Sequence, residues 1–573
     1  MGDRPVKHAT SKLALLVAAG GIVLSTAAVA DENEVFVRQT GDNNVTTVTQ
    51  TGTGNKAGIY PEGRMVIQGD NSTMTVTQSG SDNEIGRNPD DPDAGKVHLE
   101  GNGNNLTASQ TGARNVIGYV KTTGNGTSAR ITQNGAFNTF TGAIALGTEN
   151  ESTFVQDGLS NTMGVSTRLN GGALQQSYQT GDNNTLGNVT NESDGTFDPT
   201  VWRSLIVTNQ QGDANTIGDI AKYAPGYDSA RTDIKQWGDA NTIGDITQTH
   251  QTGSLNHVHL EQLSDGNEIG AIDTTGGGGI QVYQRTGSGN VVGTVDASGY
   301  RYMTVINQNG SGNYAAGSNM AGGEDYHATS EHTDYNLTQT GDGNSMGMVT
   351  VASSGPTDYS DVLVIQTGDD NAIGNFDVAG NFNYAESKQE GNGNTVGDLS
   401  QSGGNWFRTW QVGDGNVVGD FVQTDALWSG TGQSVGGTVE QFGNDNIVGN
   451  VTQTGASAAW LTQNGTGNVV ADVFQEKSGT AGNLAIDGAQ VGNGNMLTAS
   501  QFGSALHMFV RQTQDGNTAT LTQGMDGVVC TSCRLDAVQD GNLNGMTVSQ
   551  VGVAAIFEAR QVGNNNTMTV MQN

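Results

Sequence analysis

The chain has few of the residues from which conventional globular domains are built. Among its 573 residues there are two cysteines and seven prolines, and aromatic residues make up only 6%. Two cysteines exclude the disulfide-dense frameworks of small secreted domains. A hydrophobic content of 34% is low for several thick cores, whereas glycine is abundant, with 86 residues. The composition therefore favours an elongated fold with a thin core.

Basic residues are also scarce. The chain has 24 Lys and Arg residues against 57 Asp and Glu residues, which gives a net charge of −33. Such a charge disfavours partners that are themselves anionic, such as nucleic acid and acidic membrane surfaces. It also keeps separate copies of the chain soluble by mutual repulsion.

Long hydrophobic runs are absent except near the N-terminus. Three basic residues, the last of them Lys12, precede the apolar run Leu13–Ala30, which ends Ala28-Val29-Ala30. This order predicts a secretory signal peptide over residues 1–30, cleaved after Ala30. A membrane anchor is the alternative, but the run is short and contains Gly, Ser and Thr. Cleavage changes the net charge from −33 to −35 and yields a secreted, extracellular chain.

The abundant feature is a repeated motif, Gln-x-Gly-x-x-Asn. It first appears as Gln39–Asn44 and last as Gln561–Asn566. Other copies begin at Gln50, Gln78, Gln110, Gln133, Gln156, Gln179, Gln236, Gln251, Gln308, Gln339, Gln366, Gln389, Gln411, Gln441, Gln463 and Gln490. A unit repeated this often predicts a repeat protein in which each unit packs on its neighbours.

The spacing between motifs predicts β-strands. Asn44 and Gln50 are six residues apart, and an even separation places both side chains on one face of a strand. The β-prone residues between them alternate, so Val48 faces inward and the Thr and Ser residues face outward. Glycine-rich turns follow each closing Gln. The predicted turn and ladder residues are Gln39, Gly41, Asn44, Gln50, Gln78, Gly80, Asn83, Gln110, Gly112, Asn115, Gln133, Gln156, Gln179, Gln236, Gln366, Gln411, Asn416, Gln441, Gln490, Gln561, Gly563, Asn566 and Gln572.

A second version of the strand has seven residues from Asn to Gln and contains a glycine, as in Asn394–Gln401. An odd separation would turn the Gln outward unless one residue is absorbed. A β-bulge at glycine absorbs one residue. We therefore expect bulges or kinks at Gly244, Gly397 and Gly449.

Together these units predict an all-β fold, an elongated two-sided β-solenoid over residues 31–573. One strand and one turn take 11 residues, so a strand–turn–strand rung takes about 22, and rungs stack at about 4.8 Å. Identical buried Gln and Asn side chains then form hydrogen-bonded ladders, as in cross-β, amyloid-like stacks. The prolines beyond residue 30 lie between the units and mark loop insertions, among them Arg87–Lys96, Lys222–Thr232, Tyr314–Tyr335 and Ala352–Asp361.

No motif for catalysis or cofactor binding is found, so we expect no enzyme, no cofactor and no metal site. Cys530 and Cys533 lie in an insertion, where a local disulfide is the expected state. A redox pair would need a helix N-terminus, and a zinc site would need two more ligands. His257 and His259 share a strand face and are expected to point outward. The aspartates of the turns are explained by turn formation, with weak calcium binding as the alternative.

A strand-ending Gln, a Gln-x-Gly-x-x-Asn turn and a second Gln six residues after the Asn together resemble the curlin repeat. Gln39–Gln50 and Gln561–Gln572 match it position by position. The resemblance implies a secreted subunit of curli, the functional amyloid fibres of bacterial biofilms. It also implies an outer-membrane secretion pore and accessory or nucleator proteins as partners. The chain departs from typical curlins in its many repeats, its insertions and its lack of a Gly/Asn-rich segment before the first repeat.

The ends of the repeat array predict self-association. Asn566–Asn573 completes a strand without a cap, and Val35–Gln39 begins equally bare, so both sheet edges are open to another copy. We therefore expect a homopolymer that assembles head to tail into an extracellular adhesive fibre. The alternative is a monomeric or fibre-tip adhesin that binds a surface or glycan through its inserted loops. Ice binding through the Thr-x-Thr faces is disfavoured because these faces are irregular between rungs.

Overall fold

The computed structural model is all-β, and its described residues contain no helix. It describes residues 12–17, 21–26, 32–58, 65–86, 97–147, 149–169, 172–193, 204–224, 231–249, 257–274, 279–298, 302–321, 332–352, 359–379, 383–403, 405–426, 435–455, 457–477, 484–524 and 528–572. The chain divides into two compact units, Met1–Arg285 and Thr286–Asn573. No helix that could cross a membrane occurs among the described residues.

Unit 1 (Met1–Arg285) is a β-solenoid with two faces, called here its first and second sheets. The strands of its first sheet are Lys12–Val17, Glu34–Thr40, Lys56–Ala57, Met65–Gln68, Glu84–Ile85, Val97–Glu100, Val116–Thr123, Thr139–Leu146, Thr162–Leu169, Thr185–Leu186, Val189–Ser193, Thr216–Ile217, Ile220–Ala224, Thr242–Ile243, Ile246–Thr249, Glu268–Ile269 and Ile272–Thr274. Those of its second sheet are Gly21–Thr26, Val45–Thr53, Thr73–Ser81, Asn105–Ala113, Ser128–Ala136, Glu151–Leu159, Ala173–Thr180, Ser204–Gln211, Arg231–Trp237 and His257–Val258. One strand, Gln281–Thr286, contains the boundary between the units.

Unit 2 (Thr286–Asn573) has the same two-sheet construction. The strands of its first sheet are Val291–Ser298, Tyr314–Ala321, Ser345–Met346, Val349–Ala352, Ala372–Ile373, Phe376–Ala379, Thr395–Val396, Leu399–Gly403, Val417–Val418, Phe421–Ala426, Ile447–Val448, Val451–Thr454, Val469–Lys477, Met496–Ser504, Thr518–Gln523, Cys530–Thr531, Gly545–Gln550, Gly552–Val553 and Thr567–Gln572. Those of its second sheet are Tyr302–Asn309, His332–Thr340, Tyr359–Thr367, Asn383–Glu390, Asn405–Val412, Val435–Phe442, Ser457–Asn464, Leu484–Val491, His507–Thr513, Arg534–Asp540 and Ile556–Val562.

Neighbouring strands are parallel and pair like residue with like residue. Asn105–Ala113 pairs with Ser128–Ala136 so that Gln110 lies opposite Gln133 and Gly112 opposite Gly135. Burial alternates along these strands, because inward side chains meet in the core while outward ones face solvent. The prediction of a two-sided β-solenoid with amide ladders is therefore confirmed.

The glycine of each turn is needed because the rungs approach closely there. Gly391 has a φ of +116°, and a Cβ at this position would lie 2.1 Å from the carbonyl oxygen of Gly413 in the following rung. The same geometry recurs at Gly41, Gly80 and Gly112, whose φ angles are +109°, +114° and +110°. The turn thus requires both a positive φ and the absence of a side chain.

The glycines of the seven-residue strands lie at interruptions, as expected. The strand that starts at Thr395 stops at Val396 and resumes at Leu399, with Gly397 in the gap. A Cβ on Gly397 would lie 2.3 Å from Oδ1 of Asp420, so the glycine leaves room for a carboxylate of the next rung. Gly244 and Gly449 occupy equivalent gaps.

Both ends of three predicted insertions are corrected by the structure, because all six of these residues lie in strands: Lys222, Thr232, Tyr314, Tyr335, Ala352 and Asp361. Lys222 and Thr232, taken as the ends of an insertion, lie in the strands Ile220–Ala224 and Arg231–Trp237 and are buried. Tyr335, taken as the end of another, is a core residue with 1% of its surface exposed. Among the threonines expected to face outward, Thr46 is buried, because it stands an even number of residues after Asn44. Residues 87–96 and 353–358 and the prolines at the insertions lie outside the described residues.

The segment predicted to be a signal peptide contains two strands that continue the stack of unit 1. Lys12–Val17 pairs in parallel with Glu34–Thr40, and Gly21–Thr26 pairs with Val45–Thr53. The cleavage site at Ala28–Ala30 lies outside the described residues.

Candidate functional site

A ladder of glutamine side chains runs through the core of unit 1. Each amide donates from Nε2 to Oε1 of the glutamine in the following rung, over 2.7–3.0 Å. Its members are Gln50, Gln78, Gln110, Gln133, Gln156, Gln179, Gln210, Gln236, Gln262 and Gln284. Buried amides are thereby satisfied by one another, which removes the cost of burying them.

Unit 2 contains two such ladders, one along each of its two sheets. Along the second sheet the ladder links Gln308, Gln339, Gln366, Gln389, Gln411, Gln441, Gln463, Gln490, Gln512, Gln539 and Gln561. Along the first sheet it links Gln401, Gln423, Gln453, Gln475, Gln501, Gln523, Gln550 and Gln572. Every donor points toward the following rung, so each ladder has a direction.

Asparagine side chains form further ladders that fix the turns. Oδ1 of Asn371 accepts from the backbone N–H of Asn394 at 3.0 Å and from its Nδ2 at 3.1 Å. Nδ2 of Asn394 also donates to the carbonyl oxygen of Gly413 at 2.8 Å. The same pattern includes Asn83, Asn115, Asn416 and Asn566. Asparagine therefore ties each turn to the rungs on both sides of it.

Two of the predicted ladder residues stand outside continuous ladders. Gln39 pairs in register with Ile67, and its amide instead donates to the backbone oxygen of Asn44 and accepts from the hydroxyl of Thr46. In the next rung the position of Asn44 is taken by Ser72, and Oδ1 of Asn44 accepts from the backbone N–H of Ser72 at 2.8 Å. The first rungs after residue 30 thus have less regular ladders than those further along unit 1.

The removal of one ladder amide should destabilise unit 2 locally. In Gln463→Leu, Oε1 of Gln490 loses the donor that lies 2.8 Å away. An unsatisfied buried acceptor costs about 1–3 kcal/mol, and the added apolar surface offsets only part of this. We expect faster amide hydrogen exchange in Ser457–Asn464 and its neighbouring strands. Thr462→Ala, an outward change on the same strand, is the control, and equal exchange in both variants would contradict the prediction.

Sequence reasoning missed a set of exposed side chains that connect neighbouring rungs at their turns and strand interruptions. At the turns, Oδ1 of Asp213 accepts from the backbone N–H of Asp182 at 2.7 Å. At the strand interruptions, Oδ1 of Asp420 accepts from the backbone N–H of Asp398 at 2.9 Å. The available signal is the recurring Gly-Asp or Gly-Asn pair at these positions, which turn formation alone also explains.

One ladder position of unit 1 is held by a glutamine that does not begin a copy of the motif. The copy at Gln251 lies outside the described residues. The ladder position between Gln236 and Gln284 is held by Gln262, which lacks the glycine two residues later. Its spacing of five residues to Asn267 was the available signal.

A column of the core in unit 1 contains two cations. Arg168, Asn191 and Lys222 are opposite one another in consecutive rungs of the first sheet, and all three are buried. Burial lowers the pKa of Arg168 to about 9 and that of Lys222 to about 7, the latter against the opposing effect of the Asp233 carboxylate. Nζ of Lys222 donates to the carbonyl oxygen of Leu205 at 2.9 Å. Among the described residues the guanidinium of Arg168 has no hydrogen-bond partner.

Replacement of the buried lysine should stabilise unit 1 in a pH-dependent way. The pKa of Lys222 falls from 10.5 to about 7, so between these values the unfolded chain holds the extra proton and stability rises with pH. Below pH 7 the folded chain carries the buried charge and its full cost, at most about 5 kcal/mol. Lys222→Met should therefore raise the melting temperature most at pH 6 and least above pH 10. Calorimetry at both pH values checks this, and a gain independent of pH would contradict it.

The rung of Ile556–Val562 and Thr567–Gln572 is the last described rung of unit 2, and no described strand pairs with its outer side, called here the open edge. Its inward side chains, among them Met568 and Val570, are partly exposed, whereas Met546 and Val548 one rung earlier are 3% and 1% exposed. Gln561 and Gln572 accept from the preceding rung. Nε2 of Gln561 donates one hydrogen to the carbonyl oxygen of Gly545 at 3.0 Å, so its second N–H is the one directed to the outer side. This edge offers apolar surface together with the donors of two ladders.

The backbone of this edge is also open. The carbonyl oxygens of Asn566 and Gln572 accept from Gly545 and Val551 of the preceding rung. Alternate residues of a parallel strand bond to opposite neighbours, so Thr567, Thr569 and Met571 direct their backbone groups to the open side. The edge is a template for one more parallel strand.

Cys530 and Cys533 are joined by a disulfide and are buried, with Leu506 packed against them. Among the described residues no group of His, Cys, Asp or Glu could hold a metal ion. His257 and His259 face outward on the second sheet of unit 1, where their rings stack at 6.0 Å. His259 also lies 3.9 Å from the carboxylate of Asp233. These side chains form a surface network of charges and rings.

Comparison with known proteins supports the resemblance found in the sequence. Residues 30–60 match the family model of the curlin associated repeat. No curated protein and no solved structure is significantly similar to the chain.

Proposed function

We propose that this protein is a secreted structural subunit of an extracellular, curli-like amyloid fibre. It polymerises head to tail, and the fibre serves as biofilm matrix and mediates adhesion. The observation that carries the proposal is the outer side of the rung at Thr567–Gln572. No described strand pairs with this side, and Gln561 and Gln572 are the last described members of the two glutamine ladders of unit 2. The match to the curlin associated repeat supports the same conclusion.

The direction of the ladders favours head-to-tail stacking over other modes. Glutamine donors face the open edge of unit 2, so the incoming rung must present glutamine acceptors and continue in the same sense. A second copy stacked tail to tail would place donor against donor and leave buried amides unsatisfied. Identical subunits that repeat one heterologous contact form a filament.

Export and assembly are coupled in this proposal. In the precursor, the backbone of Lys12–Val17 and Gly21–Thr26 covers the first rung after residue 30. Cleavage after Ala30 removes these strands and opens the edge on which the preceding subunit stacks. Passage through an outer-membrane pore with accessory or nucleator proteins is the route that the resemblance implies.

The alternative, an adhesin that acts through its inserted loops, has less support. The loop centres lie outside the described residues, and the ends of two of them belong to the core strands Ile220–Ala224 and His332–Thr340. We therefore give priority to the fibre.

Labelling of the producing cells tests the proposed role. Antibodies against the chain should decorate filaments outside the cell along their whole length in electron micrographs, and deletion of the chain should remove these filaments. Label confined to filament tips would favour the adhesin, and label inside the cell would overturn the proposal.

A further inference from the structure

The outer face of the second sheet of unit 2 carries an aromatic patch. Trp406 and Trp410 lie on one strand, Asn405–Val412, and Trp460 lies two rungs further along on Ser457–Asn464. Tyr384, 37% exposed, is opposite Trp406 in the preceding rung. In a chain with six tryptophans, three on one small sheet face are a concentration that the fold does not require.

The ring of Trp406 lies flat on the sheet. It leans over Gly436, its partner in the next rung, and a Cβ there would lie 1.9 Å from Cε2 and 2.2 Å from Nε1 of the indole. The next residue in this column is Ala458, which is also small. Glycine thus makes room for the indole, which covers backbone at Gly436 and is partly exposed. Trp460 stands in the adjacent column and is 42% exposed.

Charged side chains lie between these rings. Arg408 lies between two carboxylates, with Nε 3.5 Å from Glu386 and Nη1 4.0 Å from Glu440. Its guanidinium also lies 5.3 Å from the centre of the Trp410 ring. Arg408 is opposite Thr438 in the next rung, and Thr438 is opposite Trp460 in the rung after it. The guanidinium and carboxylate groups therefore lie between Trp406 and Trp460. The patch therefore combines aromatic rings with groups that can form hydrogen bonds to a ligand.

From this geometry we propose that the patch around Trp406, Arg408 and Trp460 binds an uncharged, extended polysaccharide. The rings of β-linked glucose-type sugars have flat faces of C–H groups that stack on indoles, and equatorial hydroxyls that bond to Arg and Glu. Stacking on a pre-oriented ring loses little conformational entropy. The strand face is flat, which suits a polymer chain better than a small molecule, since small molecules bind in concave sites.

The same features disfavour a protein partner. Protein interfaces have cores depleted of charge and cover about 800 Å² on each side. Here Arg408, Glu386 and Glu440 are interleaved with the rings instead of surrounding them. The net charge of −33 also disfavours acidic polymers. The proposal needs only a folded chain, whether or not that chain assembles.

The test is a pull-down of the soluble full-length secreted chain with microcrystalline cellulose and, separately, with chitin powder. The double variant Trp406→Ala, Trp460→Ala should reduce the bound fraction at least tenfold on whichever polymer the parent binds. Trp237→Ala is the matched control, because this residue is 41% exposed on the second sheet of unit 1 with Lys235 covering its ring. Circular dichroism establishes that each variant is folded.

Two outcomes would overturn the proposal. In the first, the parent binds neither polymer, or the double variant binds as well as the parent. In the second, 1 M salt abolishes binding, which would assign it to exposed charges, because these are screened at that ionic strength. The pull-down is also carried out with these substitutions in the Thr569→Pro chain, which we expect not to assemble, so that the results are independent of fibre formation.

Discussion

Thr569→Pro should abolish filament growth while leaving the folded chain intact. Thr569 is an exposed residue of Thr567–Gln572, and its backbone N–H is directed to the open edge. Proline removes this donor and places its ring where the next strand would pair, yet proline is tolerated on edge strands whose N–H faces solvent. Every junction in a head-to-tail filament uses this edge. We therefore expect at least a tenfold fall in the rate of assembly, measured by light scattering and electron microscopy.

Mixing experiments make the prediction specific. The variant retains the opposite edge, so it should add to the end of a growing filament and then block it. A few per cent of Thr569→Pro in wild-type protein should shorten the filaments. Thr569→Ala keeps the N–H and should assemble normally. If Thr569→Pro assembled at the wild-type rate, the open edge of unit 2 would not be the growing contact.

Gly391→Ala should break the stack of unit 2 at its turn. The new Cβ would lie 2.1 Å from the carbonyl oxygen of Gly413, and the φ of +116° is strained for any residue with a side chain. The Cβ is attached directly to the backbone and the oxygen belongs to the backbone of the next rung, so neither can turn away. The two rungs must therefore separate, and the ladder from Gln389 to Gln411 lengthens with them. We expect a loss of at least about 4 kcal/mol, at the upper end of single-residue effects.

Gly393→Ala is the matched control two residues away. Its φ is +64°, in the left-handed region, but no atom lies within 4 Å of the position a Cβ would take. Its expected cost is about 1–2 kcal/mol. Hydrogen exchange should show rungs on both sides of Gly391 opening in the first variant only, since each rung is held by its neighbours. Equal effects of the two substitutions would show that the close approach of the turns is unimportant.

Much of the fold followed from local spacing. The even separation of Asn44 and Gln50 was enough to place both amides inward, and glycine at the seven-residue strands correctly indicated an interruption. The repeat also predicted which residues lie opposite one another, because identical motifs stacked in register bring Gln110 against Gln133.

The sequence does not predict that two charged residues are buried in the core. Arg168 and Lys222 stand seven residues after Asn161 and Asn215, the place that Gln248 takes after Asn241. The spacing of seven residues indicates that both side chains face inward. Because burial of a charge is costly, however, residue type predicts that Arg and Lys face solvent. Only the structure shows that Arg168 and Lys222 are buried in the same column as Asn191.

The aromatic patch was missed for a different reason. Trp406 and Trp410 are four residues apart and thus share a face, which the sequence does indicate. The position of Trp460 relative to them depends on the lengths of the insertions between the rungs. The packing of Trp406 over Gly436 is a contact between strands and has no local signature.

The most direct test of the central claim is the state of the purified chain that begins at Asp31. Incubated in buffer without other proteins, it should form unbranched filaments within days. Their X-ray fibre diffraction should contain a meridional reflection near 4.8 Å, the spacing of the stacked strands. A chain that stays monomeric at high concentration over that time, with its β-structure intact by circular dichroism, would contradict the account.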